Sequence, residues 1–352
     1  MLFVVLLIGL MLLIGVIVVF VRRVHTDRWS SSNWNTETKR FQHSWHPNMR
    51  ILSLKVVLQY MKEPRTPWPK HVPISAQPCI KQRSQQLLIT NIGHATFLVQ
   101  MANLNILTDP VFSQRAAPLQ WLGPKRVVNP GVSITDLPTI DIVFISHNHY
   151  DHLDKSSVLY LAKAHPVTFV VPLGVQRQLR RWGIKSPIVE LDWWQAHLVG
   201  KCKIVAVPAQ HWSRRGIFDM NKTLWMGGII ESNDFSVFFA GDTGFGKHFS
   251  DIKERFERID VGLLPIGSYK PRAIMKHQHM DPKEGIAAHQ LLNTRYMIPI
   301  HYDVFPLGKE KYLEAEHDLI EEVRRLAVPA HSIKLLKVGE QFQLPASADP
   351  QV

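Results

Sequence analysis

Cysteine is nearly missing from this chain: Cys79 and Cys202 are the only two in 352 residues. They stand at no zinc-finger or redox spacing, which excludes a disulfide framework and a thiolate metal site. Any metal must then be held by imidazole and carboxylate. Acids are scarce as well, 29 against 41 lysines and arginines, and the net charge is +12. No internal repeat of solenoid period occurs, which excludes a repeat architecture. The first 21 residues, MLFVVLLIGLMLLIGVIVVFV, lack charge altogether.

As a helix that opening run spans roughly 31 Å, the thickness of a bilayer core. A cleaved signal peptide would want a basic start, a shorter apolar run and a small-residue cleavage site. Here no Lys or Arg precedes the run, and Arg22, Arg23 and Arg28 follow it. Residues 1–21 are therefore expected to be an uncleaved, single-pass membrane anchor. The positive flank places the rest of the chain on the cytoplasmic side. Residues 22–85 read as a basic connector containing Pro and Trp. Its residues 22–83 hold twelve lysines and arginines but only three acids. Beside a membrane, such a block suits acidic lipid headgroups better than nucleic acid. Four of its histidines, His25, His43, His46 and His71, suggest nothing specific.

From about Leu87 the pattern changes. Short apolar runs rich in β-branched residues recur, among them TFLVQ, LNILTD, IDIVFIS, KIVAVP, FSVFFAGD, VGLLPIG, YMIPIH and IKLLKV. Runs of this length bounded by Gly, Pro and Asp read as buried strands. Helical stretches lie between some of them. SSVLYLAKAH stops at Pro166, and GVQRQLRRW stops at Gly183. DPKEGIAAHQLLN opens with Asp281 as N-cap, Pro282 at the first helical position and Glu284 three after the cap. Strands mixed with helices over residues 86–345 indicate a layered α/β domain. Residues 346–352 form a tail.

What is abundant is histidine, 18 in all. SHNHYDHLD, from Ser146 to Asp154, places three histidines and two aspartates in nine residues at the end of a strand. Imidazoles so crowded repel once protonated and gain only as ligands or hydrogen-bond partners. His147 and His149 can approach one ion together, while Asp151 and His152 diverge toward a second. Three more strands end the same way. KIVAVPAQH delivers His211, FSVFFAGDTG delivers Asp242 and YMIPIH delivers His301. Neutral imidazole and carboxylate suit zinc where thiolate is missing. Asp109 and Asp154 are expected to order loops, and His94 to belong to the sandwich rather than to the metals. Trp193, Trp194, Trp212 and Trp225 are candidates for an acyl groove or for ordinary packing.

This H-x-H-x-D-H turn, with its later His, Gly-Asp and final His, resembles the metallo-β-lactamase superfamily. NIGHATFLVQ, ILTDPVFSQRAAPLQWLGPKR, QHWSRRGIFDMNKTLWMGG, FAGDTGF and MKHQHMDPKE add a similarity to the N-acyl-phosphatidylethanolamine-hydrolysing phospholipases D and their bacterial relatives. The membrane run lies outside the mammalian pattern. The resemblance covers residues 86–345. It implies a four-layered αββα sandwich, here preceded by the transmembrane helix, with two zinc ions at one edge. One ion would belong to His147, His149 and His211. The other would belong to Asp151, His152 and His301, with Asp242 bridging and a hydroxide between the metals. His279 would sit near the scissile phosphate. Asp151, Asp242 and His279 are thus the expected catalytic residues, and His279, Tyr150 and Trp212 the expected substrate contacts. The resemblance also implies a homodimer.

Two zinc ions, two carboxylates and a hydroxide leave a formal charge of about +1, which favours an anionic phosphodiester. The expected reaction is hydrolysis of N-acyl-phosphatidylethanolamine to phosphatidic acid and an N-acylethanolamine. A lactonase acting on an acyl or sugar-phosphate lactone is the alternative within the same fold, because the ligands alone do not choose the substrate. A nuclease is disfavoured because the excess charge lies beside the membrane run, and no nucleic-acid partner is expected. A scaffold without activity is disfavoured by the complete ligand set. A redox di-iron site would place a carboxylate where His149 stands.

Overall fold

The architecture is that of a computed structural model describing residues 29–43, 45, 66–74 and 76–345. The expected anchor of residues 1–21, the connector's residues 22–28, 44, 46–65 and 75, and the tail lie outside the described residues. Among the described residues, no helix is long and apolar enough to cross a membrane.

Two sheets face each other. The first runs in the order β15, β3, β4, β5, β6, β7, β8, with β3 Leu88–Gly93, β4 Thr96–Met101, β5 Leu104–Thr108, β6 Ile142–Phe144, β7 Thr168–Pro172, β8 Ile188–Leu191 and β15 Gln341–Gln343. The second runs β14, β13, β12, β11, β10, β9, with β9 Ala196–Val199, β10 Cys202–Val207, β11 Gly227–Glu231, β12 Ser236–Phe239, β13 Val261–Pro265 and β14 Tyr296–Ile300. Strands β5 to β8 are parallel, as are β12 to β14. Parallel strands covered on both faces read as continuous apolar runs, which is how IDIVFIS and VGLLPIG read.

The period of two along a strand separates the layers. Ile142 and Phe144 point between the sheets, toward Ile204, Ala206, Val237 and Phe239. Val143 and Ile145 point outward, under helices α1 Lys155–Ala164 and α2 Val175–Arg181. On the far side, Val205, Val207 and Phe238 point outward under α3 His248–Arg255, α5 Pro282–Leu292 and α6 Glu314–Arg325. A short α4, Arg272–Met275, precedes α5. Helix, sheet, sheet and helix are the four expected layers.

Helix α5 starts as the sequence indicates: the Asp281 carboxylate accepts from the Glu284 amide, and a full capping box forms. Two readings need correction. IKLLKV is not a strand and makes only an isolated bridge between Ile333 and Met297. The Leu336 carbonyl accepts from the Asn91 side chain instead, and the edge of β3 is taken by Gln341–Gln343. The connector, in turn, is not all free. Its residues Trp34–Asn35 (β1) and Arg40–Phe41 (β2) pair as a hairpin, and Phe41 is buried in the core between the sheets.

Candidate metal centre

The site lies where strands β5, β6, β10, β12 and β14 end. Each strand hands over a polar residue within a few positions: Asp109 after β5, Ser146 and His147 after β6, His211 after β10, Asp242 after β12 and His301 after β14. Three residues here hold a left-handed backbone that costs side chains energy: His94 (φ 61°), Asp109 (φ 31°) and His301 (φ 65°). Strain of this kind persists only where the surroundings enforce it, and it gathers at functional sites. Gly241 is required beside Asp242. Its φ is +60°, and a Cβ there would lie 2.7 Å from the Ser146 Cβ.

Among the described residues, ligand atoms gather in four overlapping groups; the seven expected residues fall in two of them, the second also holding His94. In the first, His147 Nε2 lies 2.8 Å from His149 Nδ1, and His211 Nε2 lies 3.2 Å from the same atom. Asp242 Oδ2 stands 3.9 Å from His147 Nε2 and 3.7 Å from His211 Nε2. In the second, Asp151 Oδ2 lies 3.3 Å from both His152 Nε2 and His301 Nε2. Asp242 joins this group too, with Oδ2 3.0 Å from His152 Nε2 and Oδ1 3.1 Å from His301 Nε2. Ligands at zinc distances around a tetrahedral ion lie roughly 3.3 Å apart, so both groups fit an ion. All seven expected metal residues meet here, and Asp242 stands between the two groups.

The hydrogen bonds assign the tautomers. Asp109 is fully buried, and its carboxylate accepts from the Ser146 amide (2.7 Å), the Ser146 hydroxyl and His152 Nδ1 (2.7 Å). With its proton given to Asp109, Ser146 Oγ accepts from His147 Nδ1 at 2.9 Å. His211 Nδ1 donates to the Gln278 carbonyl at 3.0 Å. In all three rings the outer nitrogen carries the proton, so the Nε2 lone pair faces the centre. This arrangement orients metal-binding histidines and raises their basicity.

Electrostatics divide the rings into two kinds, neutral ones and ones that hold a proton between the carboxylates where a cation would replace it. Burial, with help from neighbouring imidazoles, holds His147 and His211 well below the usual histidine range. Burial pushes His149 and His279 down to about 4. Burial also opposes charge on His301, but the carboxylates of Asp242 and Asp151 outweigh it and raise that ring to about 9. Burial likewise opposes charge on His152, but Asp242, Asp151 and Asp109 raise it well above the usual histidine range, and burial of Asp151 and Asp242 is outweighed by that ring, which holds both carboxylates well below theirs. His152 Nε2, Asp242 Oδ1 and His279 Nδ1 are buried without a hydrogen-bond partner. Several unsatisfied polar atoms around one point are costly; a cation satisfies His152 Nε2 and Asp242 Oδ1, and His279 Nδ1 stays open beside it. The donor set therefore fits a bound metal.

The remaining expected residues fall as follows. His279 Nδ1 is 4.0 Å from Asp242 Oδ2, and its ring lies between those of His211 and His301. Trp212 packs its ring 4.5 Å from that of His149. Tyr150 donates its hydroxyl to the Arg215 carbonyl, and the Arg215 guanidinium covers its ring at 3.9 Å. Asp154 caps α1 and accepts from Ser113. Trp193 and Trp225 are buried in the core and donate to the carbonyls of Trp225 and Ala209, which is ordinary packing.

Three residues do more than their sequence context suggested. His94 does stand on the β3–β4 turn, yet its Nε2 lies 3.1 Å from Asp151 Oδ2 and donates to it. Burial pushes this ring down to about 3, so it is a neutral donor. His43, in the connector, puts Nε2 2.8 Å from the His211 carbonyl. Arg215 ties the ligand turn together, donating to the carbonyls of Asn148 (3.1 Å) and Leu153 (2.6 Å). The Gly-His step in NIGHATF, a hairpin tip between apolar strands, was the available signal for His94. Nothing local marks the other two.

Seven inward imidazoles and carboxylates at one edge of an αββα sandwich define a metal-dependent hydrolase of the metallo-β-lactamase fold. The family model described as Beta-lactamase superfamily domain matches residues 104–302, more than half of the chain, and the chain belongs to that superfamily. It is similar to N-acyl-phosphatidylethanolamine-hydrolyzing phospholipase D 1 of Caenorhabditis elegans, 35% identical over 247 residues, covering 67% of this chain and 69% of that one. It is 37% identical over 237 residues to the mitochondrial N-acyl-phosphatidylethanolamine-hydrolyzing phospholipase D of Saccharomyces cerevisiae, covering 65% of this chain and 50% of that one. Among solved structures, the metallo hydrolase Igni18 of Ignicoccus hospitalis shares the fold with a TM-score of 0.57 at 22% identity, covering 74% of this chain and all of that one.

Proposed function

We propose that this enzyme is a membrane-associated, binuclear zinc phosphodiesterase that hydrolyses N-acyl-phosphatidylethanolamine to phosphatidic acid and an N-acylethanolamine. The observation that carries the reading is the position of Asp242, 3.9 and 3.7 Å from His147 and His211 on one side and 3.0 and 3.1 Å from His152 and His301 on the other, in a chain 35% identical to a phospholipase of that specificity. His147, His149, His211 and Asp242 would hold one ion, and Asp151, His152, His301 and Asp242 the other. Bound zinc supplies a nucleophile from water near neutral pH and stabilises charge on phosphoryl oxygens.

The protein's own groups do the rest. Asp109, Ser146 and the Gln278 carbonyl keep the imidazole lone pairs pointed inward. His94 holds the Asp151 carboxylate. His279, neutral at pH 7, hydrogen-bonds a phosphoryl oxygen of the bound substrate; a ring titrating near 4 is a donor of hydrogen bonds rather than a strong acid. Water attacks phosphorus, the bond from phosphorus to the ethanolamine oxygen breaks, and that oxygen leaves with a proton. Residues 1–21 would anchor the catalytic domain on the cytoplasmic face, within reach of a lipid substrate. Protease added outside intact cells should then spare the domain.

The test is a product analysis by mass spectrometry. Zinc-loaded full-length protein in detergent receives N-acyl-phosphatidylethanolamine and an acyl lactone together, with Asp242→Asn as the blank. Phosphatidic acid and N-acylethanolamine formed only by the wild type support the reading. Opened lactone beside intact phospholipid overturns it in favour of the lactonase.

A further inference from the structure

Two loops leave the site edge and carry large apolar side chains into solvent. One, residues 111–126, begins just after Asp109; the other, residues 212–222, begins just after His211. Trp121 is 73% exposed, Ile217 76% and Phe218 73%, with Leu119 and Leu122 also exposed. Each tip thus carries two or three large apolar side chains close in sequence and left in water, the kind of exposure that marks an interaction surface.

Both loops are rooted on the same ligand-bearing turn. Ser113 Oγ donates to Asp154 at 2.7 Å, and Arg215 donates to the Leu153 carbonyl at 2.6 Å. Their tips are preformed by polar clamps. Arg115 holds the carbonyls of Gln120 (3.1 Å) and Gly123 (2.5 Å). The Asp219 carboxylate accepts from the amides of Arg215 (3.1 Å) and Gly216 (2.7 Å). Each tip thus uses its own polar groups internally and points its apolar ones outward.

Charge selects the occupant. The two loops contain six lysines and arginines and one acid, Asp219, whose carboxylate the loop amides occupy. Lys125, Arg214 and Lys222 are exposed. Aromatic and aliphatic tips flanked by cations, with no free acid, match the interface of a bilayer bearing anionic lipid.

The geometry points to a bilayer-docking surface: the loop tips at Trp121 and Phe218 insert into an anionic membrane and seat the metal centre over it. The inference rests on the phospholipid reading above and assigns how that site meets its substrate. It involves other residues than the anchor expected of 1–21.

The experiment uses the full-length chain with exposed Cys79 replaced by Ser; Cys202 is buried. Single cysteines introduced as Trp121→Cys, Phe218→Cys or Leu198→Cys carry an environment-sensitive fluorophore. Leu198 is equally exposed but lies on β9, the edge of the second sheet. The protein is reconstituted in vesicles of phosphatidylcholine and phosphatidic acid in equal amounts. Probes at 121 and 218 should shift to the blue and be quenched by acyl-tail nitroxide at least about threefold more strongly than the probe at 198. Probes at 121 and 218 as wet as that at 198 overturn the proposal. So do all three dry alike, or dry probes at 121 and 218 that the nitroxide fails to reach, which marks a protein contact. No turnover is needed. Cleaved substrate with wet probes sinks the docking surface alone, and inserted probes without cleavage sink the substrate alone.

Discussion

Replacing Asp109 by Asn probes the support of the centre without touching a ligand. The carboxylate takes three donors: the Ser146 amide, the Ser146 hydroxyl and His152 Nδ1. An amide of the same shape offers one acceptor oxygen. If that oxygen serves the Ser146 amide, the NH2 group faces His152 Nδ1–H, and the ring must move its proton to Nε2 or lose a partner. A proton on Nε2 blocks the lone pair that faces Asp151 and Asp242. If the amide turns over, the Ser146 amide is orphaned and the ligand turn shifts. In either orientation metal affinity should fall about 10- to 100-fold, or about 1.4–2.8 kcal/mol. Metal-free stability should fall by about 1–3 kcal/mol, the cost of one buried unsatisfied donor. Competition with a fluorescent zinc chelator reads the first quantity and urea unfolding of the stripped protein the second. A variant with wild-type metal affinity would refute the role given to Asp109, even if stability drops.

Gly241→Ala should cost about 2 kcal/mol or more, from left-handed strain and contact with Ser146, and should lower bound metal, both measurable by unfolding and metal analysis. His43→Phe should keep the aromatic packing yet destabilise by about 1–3 kcal/mol through the unpaired His211 carbonyl, seen as a lower urea midpoint. Burial, with His43 beside it, holds His248 down to about 3 from an ordinary 6.5. The unfolded chain therefore binds the extra proton between these values, and stability falls as pH drops through this window, by up to about 1.4 kcal/mol per pH unit. His248→Gln should lose less stability than wild type between pH 7 and 5; equal losses would remove His248 from the account.

The grouping of the candidate metal residues was legible because four of them share one turn and the others follow strand ends, where side chains enter a cleft. The capping box of α5 was legible because it is a local exchange between Asp281 and Glu284. His43 and Arg215 were not, because each acts on a main-chain carbonyl far along the chain: 168 residues for His43 to His211 and 62 for Arg215 to Leu153. No local pattern encodes such a contact. IKLLKV misled because its apolar residues pack without pairing beyond one bridge to β14, while Gln341–Gln343, with little hydrophobic signal, took the edge at β3.

The proposed sharing of one ion by Asp151 and His301 has a consequence for how the fold is held. These two residues are 150 positions apart and come from different sheets. An ion gripped by both closes a loop as long as a medium-sized domain. By chain entropy, a covalent cross-link of that span disfavours the unfolded ensemble by about 5 kcal/mol. A chain with two unpaired cysteines has no such bond, and the metal can serve as its removable staple. Chelation should therefore lower the unfolding free energy of the whole domain while leaving the folded packing of both sheets in place.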